Sequence, residues 1–243
     1  MGRRKLLGGN WKMYASLKTF DIIKGFKHNF FLNNDTFIAV PYVYIQTAKQ
    51  RFPAHIKVGA QDCSMFNDGA YTGEISASML KEMGVEYVII GHSERRRFFG
   101  DDSQVIASKI RNACKEGLSV VLCVGECLDD RESGQYLDVI KHQLHCLERV
   151  IRGCTNIDIA YEPVWAIGTN RIPTNSQIKE VICKIKAWGS EAGFEGRVVY
   201  GGSVSMLNCQ TILEVEDVDG FLVGGASQNM DFCMISSELS SAQ

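Results

Sequence analysis

The chain is poor in chain breakers. It has four prolines in 243 residues, with no linker and no low-complexity tract. Nothing therefore marks a boundary, and residues 1–243 read as a single domain. No apolar stretch approaches the ~18 residues of a membrane span, which argues against a membrane partner. Neither charge sign dominates: 26 basic and 28 acidic side chains leave a net charge of -2. No global field then favours nucleic acid. The short run Arg95-Arg96-Arg97 follows Glu94 and reads as local ion pairing.

Cysteine is plentiful but lacks pattern. Nine thiols, at 63, 114, 123, 127, 146, 154, 183, 209 and 233, include no CxxC pair and no Cys/His cluster with zinc spacing. Cys123-Val-Gly-Glu-Cys127 looks like a strand end rather than a metal site. With no secretory signal at the start, the expectation is a cytoplasmic protein with reduced thiols.

What the chain does have is alternation. Eight short apolar runs recur: 6–9, 36–40, 56–60, 87–90, 119–124, 157–161, 197–200 and 220–223. Most are apolar throughout, as parallel strands covered on both faces should be. Helical patterns lie between them. In 175–193, Ile178, Val181, Ile182, Ile185 and Trp188 fall at helix spacing, and Thr174 with Gln177 can form a capping box. Residues 103–117 run from a Ser cap to a terminal Gly. Eight repeats of strand and helix predict an α/β chain folded as a (β/α)8 barrel. A doubly wound open sheet is the alternative, though no GxGxxG follows the first strand.

Barrel enzymes place their chemistry at the carboxyl ends of the strands. Asn10 and Lys12 follow the first run, His92 and Glu94 the fourth, and Glu162 the sixth. Tyr200 and Ser203 sit at the seventh, and Gly224 and Gly225 at the eighth. A cation, an imidazole, a carboxylate and two glycine turns thus converge on one rim. Alone, each has a plainer reading: a surface lysine, a structural histidine, a rim ion pair. Together they are far more specific.

The segments GGNWKM, GHSERR, YEPVWAIGT, YGGSV and GFLVGGAS resemble the signatures of the triosephosphate isomerase family, in order and spacing, over residues 8–227. The resemblance implies the TIM barrel and interconversion of dihydroxyacetone phosphate with glyceraldehyde 3-phosphate. It makes Glu162 the base between C1 and C2, and His92 a neutral electrophile that shuttles protons between the oxygens. Lys12 would supply fixed charge and Asn10 a hydrogen bond to substrate. Gly168, Ser203, Gly224 and Gly225 would offer backbone N–H groups to the phosphate.

The chemistry supports these roles. A proton alpha to a carbonyl is weakly acidic, so a carboxylate needs a dry site and the enediolate needs donors. A histidine at a helix start meets the positive dipole end, which favours the neutral ring. Glycines let backbone N–H groups approach phosphate. The apolar, glycine-ended sequence after Glu162 becomes a lid, about 163–172, that removes water once shut. Pro163 would stiffen its hinge, Trp165 would pack there, and Tyr200 and Ser203 would latch it.

Glu94 is read as a support for Lys12, and Cys123 as core packing beside the base. His28, His55, His142 and His145 are read as solvated. The long stretch about 61–76 exceeds an ordinary βα turn. By the resemblance it docks into a second subunit, with Thr72 near the partner's site and Met13 receiving the loop, so a homodimer is expected. No metal or organic cofactor is implied.

The chain also departs from the family pattern. Asn170-Arg171 stands where Gly-Lys usually ends the lid, Gln228 where Leu is usual, and Tyr14 where Asn is usual. The competing readings are a barrel that kept a phosphate pocket as a scaffold, and another phosphate-binding barrel enzyme. The complete set Asn10, Lys12, His92 and Glu162 argues against the first. The second lacks its own lysine and carboxylate signatures here.

Overall fold

A computed structural model describes residues 3–145, 148–151, 153–169 and 171–242. Eight parallel strands close into a barrel in chain order. They are β1 (Lys5–Asn10), β2 (Asn34–Val40), β3 (Lys57–Ala60), β4 (Tyr87–Ile90), β5 (Ser119–Val124), β6 (Ile157–Tyr161), β7 (Val198–Tyr200) and β8 (Gly220–Val223). Closure comes from β1 pairing with β8, Leu6 to Gly220 through Gly9 to Val223. Every predicted run became a strand, and no open sheet forms.

Alternate strand residues face two different cores, as the period of two requires. Leu6, Phe37, Ala39, Ile89, Val121, Cys123, Ala160, Val199 and Leu222 pack with one another in one cluster, with Tyr87. Their neighbours, such as Leu7, Ile38, Val88, Val120 and Ile159, join the helical layer in another. Phe37 stacks on Tyr87 at 4.4 Å between centroids. Glycine makes room for it: a Cβ on Gly8 would lie 2.6 Å from the Phe37 ring.

The helix Asn175–Glu191 carries the predicted Thr174–Gln177 capping box and buries Ile178, Val181, Ile182 and Ile185. The helix Ser103–Lys115 differs from expectation at its start. Asp102, not Ser103, is the cap, and its carboxylate accepts the Gln104 and Val105 N–H groups. Asp and Ser cap comparably, so adjacent candidates are decided by backbone path.

Reduced thiols were expected throughout, and one pair corrects this. Cys114 and Cys154 form a disulfide, with Cα atoms 5.9 Å apart. The end of the helix Ser103–Lys115 lies beside the loop entering β6, a proximity that a sequence separation of 40 conceals. His55 is also not simply solvated: it is half-buried and stacks on Phe31 at 5.3 Å. His142 and His145 are exposed as expected. The His28 side chain and all of Cys146 and Asn170 lie outside what is described. Among the described residues no helix is long and apolar enough to cross a membrane.

Candidate active site

Glu162 directly follows β6 and is buried. Its backbone is pinned against the end of β5, where its N–H donates to the Val124 carbonyl at 2.8 Å. The approach is so close that a Cβ on Gly125 would fall 1.7 Å from the Glu162 carbonyl oxygen. Only glycine fits there. The carboxylate reaches across to the end of β4. Oε1 lies 3.0 Å from His92 Nε2, and Oε2 accepts the Ser93 N–H at 2.9 Å.

His92 is the N-cap of the helix Ser93–Phe99, and its Nδ1 accepts the Glu94 N–H at 3.2 Å. A ring nitrogen that accepts carries no proton, so in the neutral ring the proton sits on Nε2, facing Glu162. The helix start thus orients the imidazole and also binds the carboxylate.

Cys123 lies beside Glu162, fully buried in the barrel core. Burial, and then the negative charge of Glu162, push its thiol well above the usual range. Arg96 ties the ends of β4 and β5 together by donating to the Gly91 and Cys123 carbonyls at 2.8 and 3.0 Å. Burial lowers its guanidinium pKa from the ordinary value. Arg95 pairs with Asp62 and Asp101, so local ion pairing holds for that member of the run.

Lys12 has φ 49, a left-handed conformation that no other described non-glycine residue adopts. Such strain persists only where neighbours over-determine it. Here its N–H donates to Asn10 Oδ1 at 3.0 Å, its ammonium to Glu94 Oε1 at 2.7 Å, and its carbonyl accepts from Gln61 Nε2 at 2.9 Å. Glu94 is therefore the partner of Lys12.

One cavity of about 560 Å³ is lined by Asn10, Lys12, His92, Glu94, Glu162, Gly168, Ser203, Gly224 and Gly225. Ile167 and Leu222 supply apolar wall. The volume suits a small-molecule ligand, with apolar surface around a few convergent polar groups. Met13 stands outside, 94% exposed, and borders a neighbouring cavity with Gln61 and Phe99. Thr72 is exposed on the projecting loop and borders neither cavity.

The two residues expected to latch a lid sit differently against the segment after Glu162. Ser203 Oγ donates to the Ala166 carbonyl at 3.0 Å, a direct contact with that segment. Tyr200 makes none: its hydroxyl is buried without a hydrogen-bond partner among the described residues. Trp165 anchors the start of the segment, donating to Glu126 Oε1 at 2.8 Å, and the Tyr161 hydroxyl donates to the same oxygen at 3.1 Å. Burial raises the Glu126 pKa above the usual carboxylate range despite these donors.

Ser93, Gln61 and Glu126 escaped the sequence reading, and Gln228 was noted there only as a departure from the family pattern. Gln61 and Glu126 lie just past β3 and β5, so inspecting all eight strand ends would have found them. Ser93 contributes only a backbone group, which side-chain identity cannot signal.

Fold and rim together define the class: a (β/α)8-barrel enzyme whose site stands at the carboxyl ends of the strands. The family profile described as triosephosphate isomerase matches residues 5–239. The cytosolic triosephosphate isomerase of Oryza sativa subsp. japonica is 39% identical over 241 residues, 96% of this chain and 95% of that protein. The triosephosphate isomerase of Taenia solium is 41% identical over 247 residues, 97% of this chain and 98% of that protein. The chain belongs to the triosephosphate isomerase family.

Proposed function

We propose that the protein interconverts dihydroxyacetone phosphate and D-glyceraldehyde 3-phosphate, with Glu162 as the base and His92 as the neutral electrophile. The observation that carries this reading is the 3.0 Å contact between Glu162 and His92 Nε2 beside a cavity that also holds Lys12 and the glycine turns. Substrate entering between them would accept the Nε2 proton's hydrogen bond at its carbonyl oxygen and free the carboxylate from His92. Glu162 then removes the C1 proton, the electron pair moves into the C1–C2 bond, and the carbonyl oxygen becomes the enediolate. His92 moves the proton between O1 and O2, and Glu162 returns its proton to C2. Lys12 and Asn10 stabilise the developing charge. Gly168, Ser203, Gly224 and Gly225 hold the phosphate, and residues 163–172 shut out water.

The single barrel, 1–243, acts as a homodimer in this reading. Loop 61–76, stiffened by Phe66 stacked on Tyr71 at 4.1 Å, enters the partner and Met13 receives it. Met13, Tyr14 and Val43 are exposed and leave apolar side chains available for that contact. A cytoplasmic location fits the rice relative's name.

The test is turnover of glyceraldehyde 3-phosphate, coupled to reduction of the ketone product, beside Glu162→Asp. Fast turnover that collapses in the variant supports the reading. No turnover, with inorganic phosphate still bound, would favour the scaffold.

A further inference from the structure

The backbone turn that carries Lys12 is held by three side-chain amides, Asn10, Gln61 and Gln228, and the last belongs to the glycine cradle. The Lys12 carbonyl accepts from Gln61, as described. The preceding carbonyl, Trp11, accepts the Tyr14 N–H at 3.2 Å and Gln228 Nε2 at 3.2 Å. Gln228 ends the short helix Gly225–Gln228, whose first residue is the cradle glycine. The Trp11 indole returns the contact, donating to the Ser227 carbonyl at 3.1 Å. The cradle and the cation are neighbours: a Cβ on Gly224 would stand 3.9 Å from Lys12 Cε.

We propose that Gln228 is a positioning residue. Its amide fixes the Trp11–Lys12 turn against the glycine cradle, and so sets where the Lys12 ammonium stands relative to a bound phosphate monoester. The inference rests on the reading of Lys12, Gly224 and Gly225 as the phosphate site. Gln228 lines the same cavity, and its Nε2 turns one N–H to the Trp11 carbonyl. Because Lys12 holds a strained conformation, a lost restraint on the adjoining peptide moves the ammonium rather than merely loosening a loop. A leucine, which the family pattern expects here, has no N–H to offer the Trp11 carbonyl.

Gln228→Met keeps the length of the side chain and removes the donor. The measurements are KM and kcat for glyceraldehyde 3-phosphate, the inhibition constant of inorganic phosphate, and Tm. KM and the phosphate constant should rise together, by about three- to tenfold, the scale of one hydrogen bond. kcat should change less. A lower Tm with both constants unchanged would make Gln228 merely structural and overturn the proposal. If Gln228→Met fails to fold, Gln228→Leu serves the same test. The wild type in the same assay separates the two readings. Without turnover there, the isomerase reading fails; with turnover and an indistinguishable variant, only the role of Gln228 fails.

Discussion

Buried charge occurs at both ends of this barrel, under different terms. At the amino end, Arg197 donates to Asp158 through Nε at 3.0 Å and Nη2 at 2.7 Å, and through Nη1 to Asp35 at 2.8 Å and to the Arg4 carbonyl at 3.1 Å. Burial alone would lower its pKa, and the two carboxylates more than offset that, so the net shift is upward. At the carboxyl end, the Glu162 carboxylate faces His92 and the Ser93 N–H, with the buried Cys123 thiol also in hydrogen-bond range, and it borders a cavity. A fully paired charge has no capacity left for a ligand. A charge held by an imidazole, an N–H and a weakly donating thiol can exchange the first of these for substrate. The same fold thus separates stability from chemistry along its axis.

The largest expected effect would test the carboxyl end. Glu162→Asp should lower kcat by about 10²- to 10⁴-fold, the usual share of a positioned base, with little change in Tm. Retained turnover would break the comparison.

The amino end should respond in the opposite sense. Arg197→Met leaves Asp158 and Asp35 without their cation, and should cost about 3–5 kcal/mol in urea unfolding. kcat/KM of the folded enzyme should stay within about twofold. A large loss of activity at full stability would show that the two ends are not separate.

Cys114 and Cys154 lie toward the same amino end. Cys114→Ser should lower stability by about 2–4 kcal/mol, because the bridge no longer restrains the unfolded chain. Turnover should be unaffected, and reducing agent should reproduce the effect in the wild type and not in the variant.

The smallest effect concerns Glu126, which accepts from Trp165. Its folded pKa is raised by burial, so the folded state binds the proton more tightly than the unfolded state does. Its contribution is therefore fully present below the ordinary carboxylate range and is lost as pH rises through the raised value. Glu126→Gln does not titrate. Its stability relative to wild type should rise between pH 4 and pH 7, as read by chemical denaturation at each pH. A difference that falls over that window would contradict the sign.

Much of the site was readable because most of its side chains follow strands directly. β4, β5, β6 and β8 matched their expected bounds residue for residue, since each ends on an apolar residue. Asn10, Lys12, His92 and Glu162 were found by asking what comes next. The reading failed where identity does not encode geometry. The Tyr200 hydroxyl points into a place with no partner, although its position beside Ser203 suggested a shared latch. The Cys114–Cys154 bridge depends on which loop a helix end meets.

The order of strands and helices, the buried alternation and the rim chemistry were determined by the sequence alone, because each rests on local periodicity or on adjacency to a strand end. The left-handed turn at Lys12, its clamping by Gln61 and Gln228, and the seating of Glu162 on the Ser93 N–H were decided only by the tertiary structure. Those contacts join residues from different strands, and closing the barrel is what brings them within hydrogen-bond range.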